Sequence, residues 1–192
     1  MSRLFLVRHG PTHARTMVGW SDLAADLSDT AALSRLEAHL PRDAVVVSSD
    51  LSRAAETANA IQGNRHRLPH DQALREIHFG EWELRSFPEI EADDPELARA
   101  YWEYPGDVRP PGGESWNEVR NRTDRAVDGL LTAHRGRDIV IVVHFGVILG
   151  QVQRALDVSP SDAFAHRIDN LSVTEIQTGP EEWQVMRINH LP

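Results

Sequence analysis

Three short apolar runs set the main constraint on how this chain can fold. They are Leu4–Val7, Ala44–Val47 and Ile139–Val143, and none alternates apolar with polar positions. Runs of this kind are typical of strands buried on both faces, as in a parallel sheet covered by helices on each side. Two further strands are predicted around Ser172–Gln177 and Gln184–Asn189.

Helical patterns lie between these strands. The spacing of apolar residues predicts helices over Ser28–Leu40, Leu51–Ile61, Ser115–His134 and Val147–Leu156. Ser28 is the expected cap of the first helix, and Asp50 directly precedes the second. The alternation of strands and helices predicts an α/β fold, a three-layer α/β/α sandwich on a mostly parallel central sheet.

Residues 78–113 differ from the rest of the chain because they are rich in aromatic residues, acids and prolines. We expect a single domain over residues 1–192, with 78–113 forming a small cap-like insertion at one edge of the sheet. The alternative is a peripheral helical hairpin with no role in recognition. As a cap, its acidic side chains would disfavour highly charged substrates.

Charge and composition narrow the classes of partner. The 192 residues include 20 basic and 29 acidic side chains, a formal net charge of −9, which disfavours binding to nucleic acid. The absence of cysteine excludes disulfides and thiolate metal sites. No apolar stretch is long enough to span a bilayer, so we expect a soluble, cytoplasmic protein that does not bind membranes.

Positively charged and imidazole side chains follow the three buried strands. Arg8 and His9 come after the first, Arg53 lies shortly after the second, and His144 comes directly after the third. Ligands of open parallel sheets bind beyond the carboxyl ends of the strands. The sequence therefore predicts an anion site at one edge of the sheet.

The position of Arg53 supports this prediction. If Asp50 caps the helix, Arg53 lies in the first helical turn, where a cation opposes the helix macrodipole. A bound anion would resolve this conflict, because it satisfies both the guanidinium and the free amides of the helix. The alternative is an ordinary surface arginine.

Two histidine pairs have a spacing of four residues, which on a helix suggests a metal site. His9 and His13 are separated by Gly10-Pro11, and His66 and His70 by a proline, so a continuous helix is not expected in either case. We predict no metal site, and surface positions for His66 and His70.

Several segments, taken in order along the chain, resemble recurring elements of one family. They are Arg8-His9-Gly10 with Thr12, Ser49–Ala54, Leu74–Glu83, Gly112–Ser115 followed by Arg122, and the later His144. This set resembles the histidine phosphatase superfamily with its phosphoglycerate-mutase-like fold, in its broad-specificity or ribazole-type phosphatase branch. The similarity extends from Leu4 to about Ser172.

The resemblance implies a role for each of the strand-end residues. The counterpart of His9 is a nucleophile that forms a phosphohistidine, which is chemically reasonable if the other ring nitrogen donates to a fixed acceptor. Arg8, Arg53 and His144 would surround the phosphoryl oxygens and supply the charge stabilisation that phosphoryl transfer needs. With arginines in place of magnesium, no cofactor is expected. A core position at the end of a buried strand is the alternative for His144.

A carboxylic acid is also needed, because an alkoxide leaving group requires a proton. The family match assigns this role to Glu76. Glu81 and Glu83 lie nearby, and the residues alone do not rank the three. Proximity to a phosphate dianion should raise the pKa of the acid and favour its protonated form.

Substrate contacts are expected from Thr12, Arg15 and Trp82. Arg15 stands where many family members carry an asparagine that contacts phosphate, so it either adds a third cation or points outward. Phe145 separates His144 from a glycine, and Leu84 replaces a common glycine. These departures affect the finer shape of the pocket.

The expected activity is metal-independent hydrolysis of a small-molecule phosphomonoester. Candidate substrates are sugar phosphates, phosphoglycerates, and ribazole or nucleotide monophosphates. The alternatives are a phosphoglycerate-type mutase, a phosphatase of phosphohistidine proteins, and a catalytically silent phosphate-binding or partner-binding domain. The chain ends soon after its last predicted strand, which favours hydrolysis over the mutase reaction. The aromatic residues of 78–113 suit a homodimer interface as well as a ligand.

Overall fold

A six-stranded sheet forms the centre of the computed structural model, which describes residues 1–179 and 182–192. Its strands are β1 (Ser2–Arg8), β2 (Val45–Ser48), β3 (His66–Arg67), β4 (Ile139–Val143), β5 (Val173–Thr178) and β6 (Trp183–His190). Their order across the sheet is β3-β2-β4-β1-β5-β6. β1, β2, β3 and β4 pair in parallel, whereas β5 runs antiparallel to β1 and to β6.

Seven α-helices are present within the described residues. They are α1 (Thr30–His39), α2 (Ser52–Ile61), α3 (Phe87–Asp93), α4 (Pro95–Glu103), α5 (Trp116–Ala133), α6 (Phe145–Leu156) and α7 (Pro160–Phe164). Among these residues, no helix combines the length and apolar character needed to cross a membrane.

The two faces of the sheet are covered by different helices. Along β4, Ile139, Ile141 and Val143 belong to one apolar cluster, which α5 and α6 cover, while Val140 and Val142 belong to a second, which α1 and α2 cover. All five residues are fully buried. The absence of alternation in the sequence thus reflects burial on both faces, and the predicted three-layer α/β fold is confirmed.

The strand register brings the ends of β1, β2 and β4 together. β4 lies between the other two, with Val143 opposite Arg8 of β1 and Val142 opposite Ser48 of β2. The residues that follow these three strands therefore emerge side by side at one edge.

The predicted Ser28 cap of α1 was wrong, and Asp50 does not meet the condition of capping α2. α1 starts at Thr30, and the Asp29 side chain accepts from the amide of Ala32, because Ser28 is held in a preceding turn by Asp26. α2 has no side-chain cap. The Asp50 carboxylate instead accepts two hydrogen bonds, at 2.7 and 2.6 Å, from the Arg75 guanidinium.

The segment 78–113 contains α3 and α4, and its two ends lie against each other. The amide of Glu81 donates to the carbonyl of Pro111 at 2.9 Å, and the amide of Glu114 donates to the carbonyl of His78 at 2.8 Å. Gly80 makes this approach possible, since it has a φ of 56° and an added Cβ would collide with the Pro111 carbonyl oxygen. The segment therefore leaves and rejoins the domain at a single point.

Leu84, in the same segment, has a φ of 61°. A glycine adopts this left-handed conformation freely, whereas a leucine is strained in it by about 1–2 kcal/mol. The substitution noted in the sequence is thus accommodated at a cost, with the side chain exposed at the surface.

Gly80→Ala tests the closure of this segment. The positive φ costs roughly 1–2 kcal/mol, and the contact with Pro111 adds to it, so we expect the free energy of unfolding to fall by at least about 2 kcal/mol. Gly129→Ala is the matched control, because Gly129 lies within α5 with open space around it. That change should raise stability by about 0.5–1 kcal/mol. Urea denaturation measures both, and equal effects would contradict the analysis.

Candidate active site

The residues that follow β1, β2 and β4 meet at one edge of the sheet, as predicted. The rings of His9 and His144 approach edge to face with 5.1 Å between centroids. The Nε of Arg53, in the first turn of α2, lies 3.2 Å from Nε2 of His9. Arg8 ends β1, next to His9. Three strands and one helix thus bring two guanidinium groups and two imidazoles together.

The contacts of His9 define which ring nitrogen carries the proton. Nδ1 lies 2.7 Å from the carbonyl oxygen of Gly10, which can only accept, so Nδ1 donates. Nε2 then carries a lone pair and accepts from the Nε–H of Arg53. Burial, the nearby Arg53 charge and the Arg8 charge lower the pKa of His9 to about 3, against the opposing effect of the Gly10 bond. The ring is neutral near pH 7, and its unprotonated Nε2 faces the Arg53 guanidinium.

Arg53 is 1% exposed and its charge meets carbonyl groups rather than carboxylates. Nη1 donates to the carbonyl of Ser21 at 3.0 Å, and Nη2 donates to that of Gly19 at 2.6 Å. Carbonyl dipoles orient the guanidinium, and burial lowers the pKa of Arg53 while the charges of Glu76, Asp22 and Glu83 oppose that shift. The predicted place of Arg53 in the first helical turn is confirmed, although Asp50 does not cap the helix.

Arg8 is held in a similar way. Its Nη1 donates to the carbonyl of Ile168 at 2.6 Å, and its guanidinium carbon lies 5.4 Å from the centre of the Phe145 ring. Burial lowers the pKa of Arg8, while the charges of Glu76 and Asp169 oppose that shift. Its Nε is buried and has no hydrogen-bond partner within the described residues. Phe145, unusual after the histidine, thus packs against this cation.

His144 is fully buried, and neither ring nitrogen has a hydrogen-bond partner in the described part of the chain. Burial, together with His9 and nearby arginines, lowers the pKa of His144 well below its usual range. A buried polar group left unpaired costs about 1–3 kcal/mol. A ligand that accepts or donates at this ring would recover that cost.

Glu76 is the buried carboxyl group of the site. Its oxygens lie 3.1 and 3.2 Å from the amide of Gly146, and one lies 3.0 Å from the amide of Ile77. Burial raises the pKa of Glu76, although these two amides and the charges of Arg53 and Arg8 oppose the rise. Gly146 allows the approach, since an added Cβ would lie 2.5 Å from the Glu76 Oε1.

The two other candidate acids have different positions. Glu81 is exposed. Glu83 accepts from the amides of Gly19, Trp20 and Ser21 at 2.7–3.2 Å, and from the Ser21 hydroxyl at 2.6 Å. Burial raises the pKa of Glu83, but these hydrogen bonds outweigh it and the net shift is downward. Glu83 therefore stays ionised and holds the loop whose carbonyls receive Arg53, a role that the sequence did not reveal.

Arg122 supports the backbone that carries Glu76. Its guanidinium donates to both oxygens of Glu114 at 2.7 Å. It also donates to the carbonyls of Ala73, Arg75 and Glu76 at 2.7–3.0 Å. Arg122 of α5 thus holds the backbone segment that carries Glu76, the candidate acid.

The three predicted substrate contacts, Thr12, Arg15 and Trp82, lie in different environments. Thr12 is partly exposed on the loop after β1, and Arg15 is exposed with no hydrogen bond or ion pair in the described residues. Trp82 is 3% exposed and packs edge-on against Tyr101, with 5.2 Å between ring centroids. Trp82 therefore belongs to the apolar cluster that α5 and α6 cover.

The histidine pairs form no metal site. His13 has a φ of 58° and lies 2.8 Å from an oxygen of Asp26, which confirms that no helix joins it to His9. His66 and His70 are exposed, as predicted. Across residues 1–179 and 182–192, no group of three or more histidine or carboxylate side chains is arranged to hold a metal ion.

Comparison with known proteins agrees with this geometry. Residues 4–191 match the model of the histidine phosphatase superfamily, branch 1. The chain therefore belongs to the histidine phosphatase superfamily, which confirms the resemblance noted in the sequence. The relatives that it matches include proteins named as phosphatases and a probable phosphoglycerate mutase.

Three relatives illustrate the match. The chain is 36% identical to a glucosyl-3-phosphoglycerate phosphatase of Mycolicibacterium vanbaalenii, over 76% of this chain and 70% of that protein. It is 29% identical to an adenosylcobalamin/alpha-ribazole phosphatase of Salmonella typhimurium, over 87% and 86%. The solved structure of Bacillus stearothermophilus YhfR superposes with a TM-score of 0.88 at 29% identity, over 97% and 96%. The chain spans about half the length of mycobacterial relatives that are 31% identical to it.

The neutral state of the buried histidines predicts a loss of stability in acid. His9 and His144 have lowered pKa values in the folded protein, whereas an unfolded histidine takes a proton near pH 6.5. The unfolded state therefore binds more protons than the folded state as the pH falls. Between pH 6.5 and 5, each of the two rings should lower the free energy of unfolding by about 1.5 kcal/mol.

Replacement of His9 isolates this effect. Between pH 6.5 and 5, His9→Asn should lose about 1.5 kcal/mol less unfolding free energy than the wild type. Glu76 has a raised pKa and acts in the opposite sense, but it is present in both proteins and cancels in the comparison. Denaturant unfolding at each pH gives the values, and equal losses in the two proteins would show that His9 is protonated in the folded state.

Proposed function

We propose that this chain is a metal-independent phosphomonoester hydrolase that works through a phosphohistidine on His9. The observation that carries the proposal is the ring of His9, whose Nδ1 donates to the Gly10 carbonyl and whose unprotonated Nε2 accepts from the buried Arg53 guanidinium. A neutral imidazole with a fixed tautomer is a competent nucleophile. The names of two relatives, both phosphatases, support hydrolysis over transfer to a second substrate.

The first step transfers the phosphoryl group to His9. The Nε–H of Arg53 turns from Nε2 to a phosphoryl oxygen, and the freed lone pair of Nε2 forms the N–P bond while the bond from phosphorus to the leaving oxygen breaks. Arg53 and Arg8 stabilise the phosphoryl oxygens through charge-assisted hydrogen bonds, and their positive charge takes the place of a metal ion. His144 donates a ring N–H to a phosphoryl oxygen, which removes the cost of burying that ring without a hydrogen-bond partner.

Glu76 completes this step as the proton donor. Its raised pKa favours the protonated acid, which gives its proton to the leaving oxygen so that a neutral alcohol departs. The resulting carboxylate then accepts a proton from a water molecule, whose oxygen forms a bond to the phosphorus of the phosphohistidine. The N–P bond breaks, inorganic phosphate leaves, and His9 returns to its neutral form.

The substrate that we propose is a small phosphomonoester with limited additional charge. The chain carries a net charge of −9, and we expect the acidic side chains of 78–113 to disfavour highly charged substrates. A substrate panel should therefore begin with three classes: sugar phosphates, phosphoglycerates and ribazole phosphate.

Replacement of His9 tests the nucleophile. His9→Ala should reduce turnover of p-nitrophenyl phosphate by at least ~1000-fold, because no intermediate can form. His13→Ala is the matched control and should keep full activity, since His13 is exposed and pairs with Asp26. Assays contain EDTA, and radiolabelled substrate with an alkaline quench should label the wild type on His9.

The same experiment separates the alternatives. Activity that survives in His9→Ala, or is abolished by EDTA, would contradict the mechanism. Exchange between phosphoglycerates without release of phosphate would identify a mutase. A folded protein that hydrolyses no member of the panel and takes no label would instead be a binding domain.

Replacement of Glu76 tests the proton donor. In Glu76→Gln, formation of the phosphoenzyme should slow by ~100-fold or more with an alkyl phosphate, but by ~10-fold or less with p-nitrophenyl phosphate, whose leaving group needs no proton. Glu81→Gln is the control and should match the wild type, because Glu81 is exposed. Single-turnover kinetics give both rates, and an equal loss with the two substrates would exclude the assigned role.

A further inference from the structure

The peptide group that joins His9 to Gly10 is held on both sides. On one side, the side-chain amide of Asn170 donates to the carbonyl of His9 at 2.8 Å. On the other, the amide of Gly10 donates to the hydroxyl oxygen of Thr57 at 2.9 Å. Both bonds restrain rotation of the same peptide plane.

This peptide plane determines where the next carbonyl points. The carbonyl of Gly10 is the group that accepts from Nδ1 of His9 at 2.7 Å and so keeps the proton off Nε2. Gly10 packs closely, because an added Cβ would lie 2.7 Å from the Leu27 side chain. A glycine has wide backbone freedom, so its carbonyl keeps one direction only if the flanking groups are fixed.

We propose that Asn170 and Thr57 are positioning residues that act through this peptide to set the tautomer and orientation of His9. The catalytic consequence rests on the proposed function, whereas the effect on the tautomer does not. Neither residue is among those that the sequence motifs single out for catalysis.

Each of the two groups is fixed independently of His9. The hydroxyl of Thr57 donates its only hydrogen to the carbonyl of Arg53 at 2.7 Å, which leaves its oxygen as an acceptor for Gly10. Asn170 lies in a segment tied to β1, since the amide of Leu171 donates to the carbonyl of Arg8 at 2.9 Å.

A second tie joins this segment to β6. The Asn189 side chain accepts from the amide of Asp169 at 2.6 Å, and it donates to the Asp169 carboxylate at 2.9 Å. Asn189 has a φ of 57°, a conformation that asparagine tolerates better than most residues. The end of the last strand therefore fixes the loop from which Asn170 reaches the nucleophile.

The test uses Asn170→Ala, Thr57→Val and the double variant. A misplaced nucleophile slows the chemical step, so each single change should lower kcat by ~10–100-fold with KM changed by less than about threefold. Because both changes release one peptide plane, the double variant should lose less than the product of the two single effects. Thr57→Ser, which keeps the hydroxyl, should recover most of the loss.

Two control variants match the chemistry of these changes. Thr123 is a fully buried threonine of α5 whose hydroxyl donates to the carbonyl of Val119, the same bond within a helix that Thr57 makes. Asn117 donates its side-chain amide to Asp107 at an exposed position. Thr123→Val and Asn117→Ala should leave kcat within about twofold of the wild type.

Imidazole nitrogen NMR provides a readout that does not depend on turnover. With the His9 signals assigned by their absence in His9→Asn, the wild type should show a single Nδ1–H tautomer, and both test variants should show a mixture. An unchanged tautomer in both variants would overturn the proposal, even where activity falls together with thermal stability. If the wild type hydrolyses no phosphomonoester, the proposed function fails while the NMR result still decides this inference.

Discussion

The buried guanidinium of Arg53 is the interaction on which the site depends. Its hydrogen bonds go to the ring of His9 and to the carbonyls of Gly19 and Ser21, none of which carries a full negative charge. The cation is therefore oriented by dipoles, while the carboxylates of Glu76, Asp22 and Glu83 act on it through their charge, and its burial is costly. Glu83 makes this arrangement possible, because it anchors the loop that presents both carbonyls. Under the proposed function, a bound phosphoryl group would give this guanidinium a direct negatively charged partner.

The sequence was most informative where burial is complete. The runs in β1, β2 and β4 were recognisable because strands covered on both faces cannot alternate apolar and polar residues. The short helix α7, and β3 with only two residues, carry too little pattern to be predicted. Helix starts were missed for a different reason. Ser28 and Asp50 are good capping residues, but each is engaged by a tertiary or turn contact that the local sequence does not show.

The candidate site was predictable to the extent that strand ends reveal it. Arg8, His9, Arg53 and His144 follow strands whose carboxyl ends must meet, and the structure brings them together. The ranking of the three glutamates required distances, because burial of Glu76 and ionisation of Glu83 arise from backbone amides distant in sequence. The substrate contact of Trp82 stays a prediction, because an aromatic residue near a motif suits a ligand and an apolar core equally well, and this side chain lies in the apolar cluster.

The meeting of both ends of 78–113 at Gly80 and Pro111 has an evolutionary consequence. A segment that departs and returns at one point can be lengthened, shortened or exchanged while the strands beneath it keep their register. A change in the length or sequence of the chain between these two points therefore needs few compensating changes in the sheet.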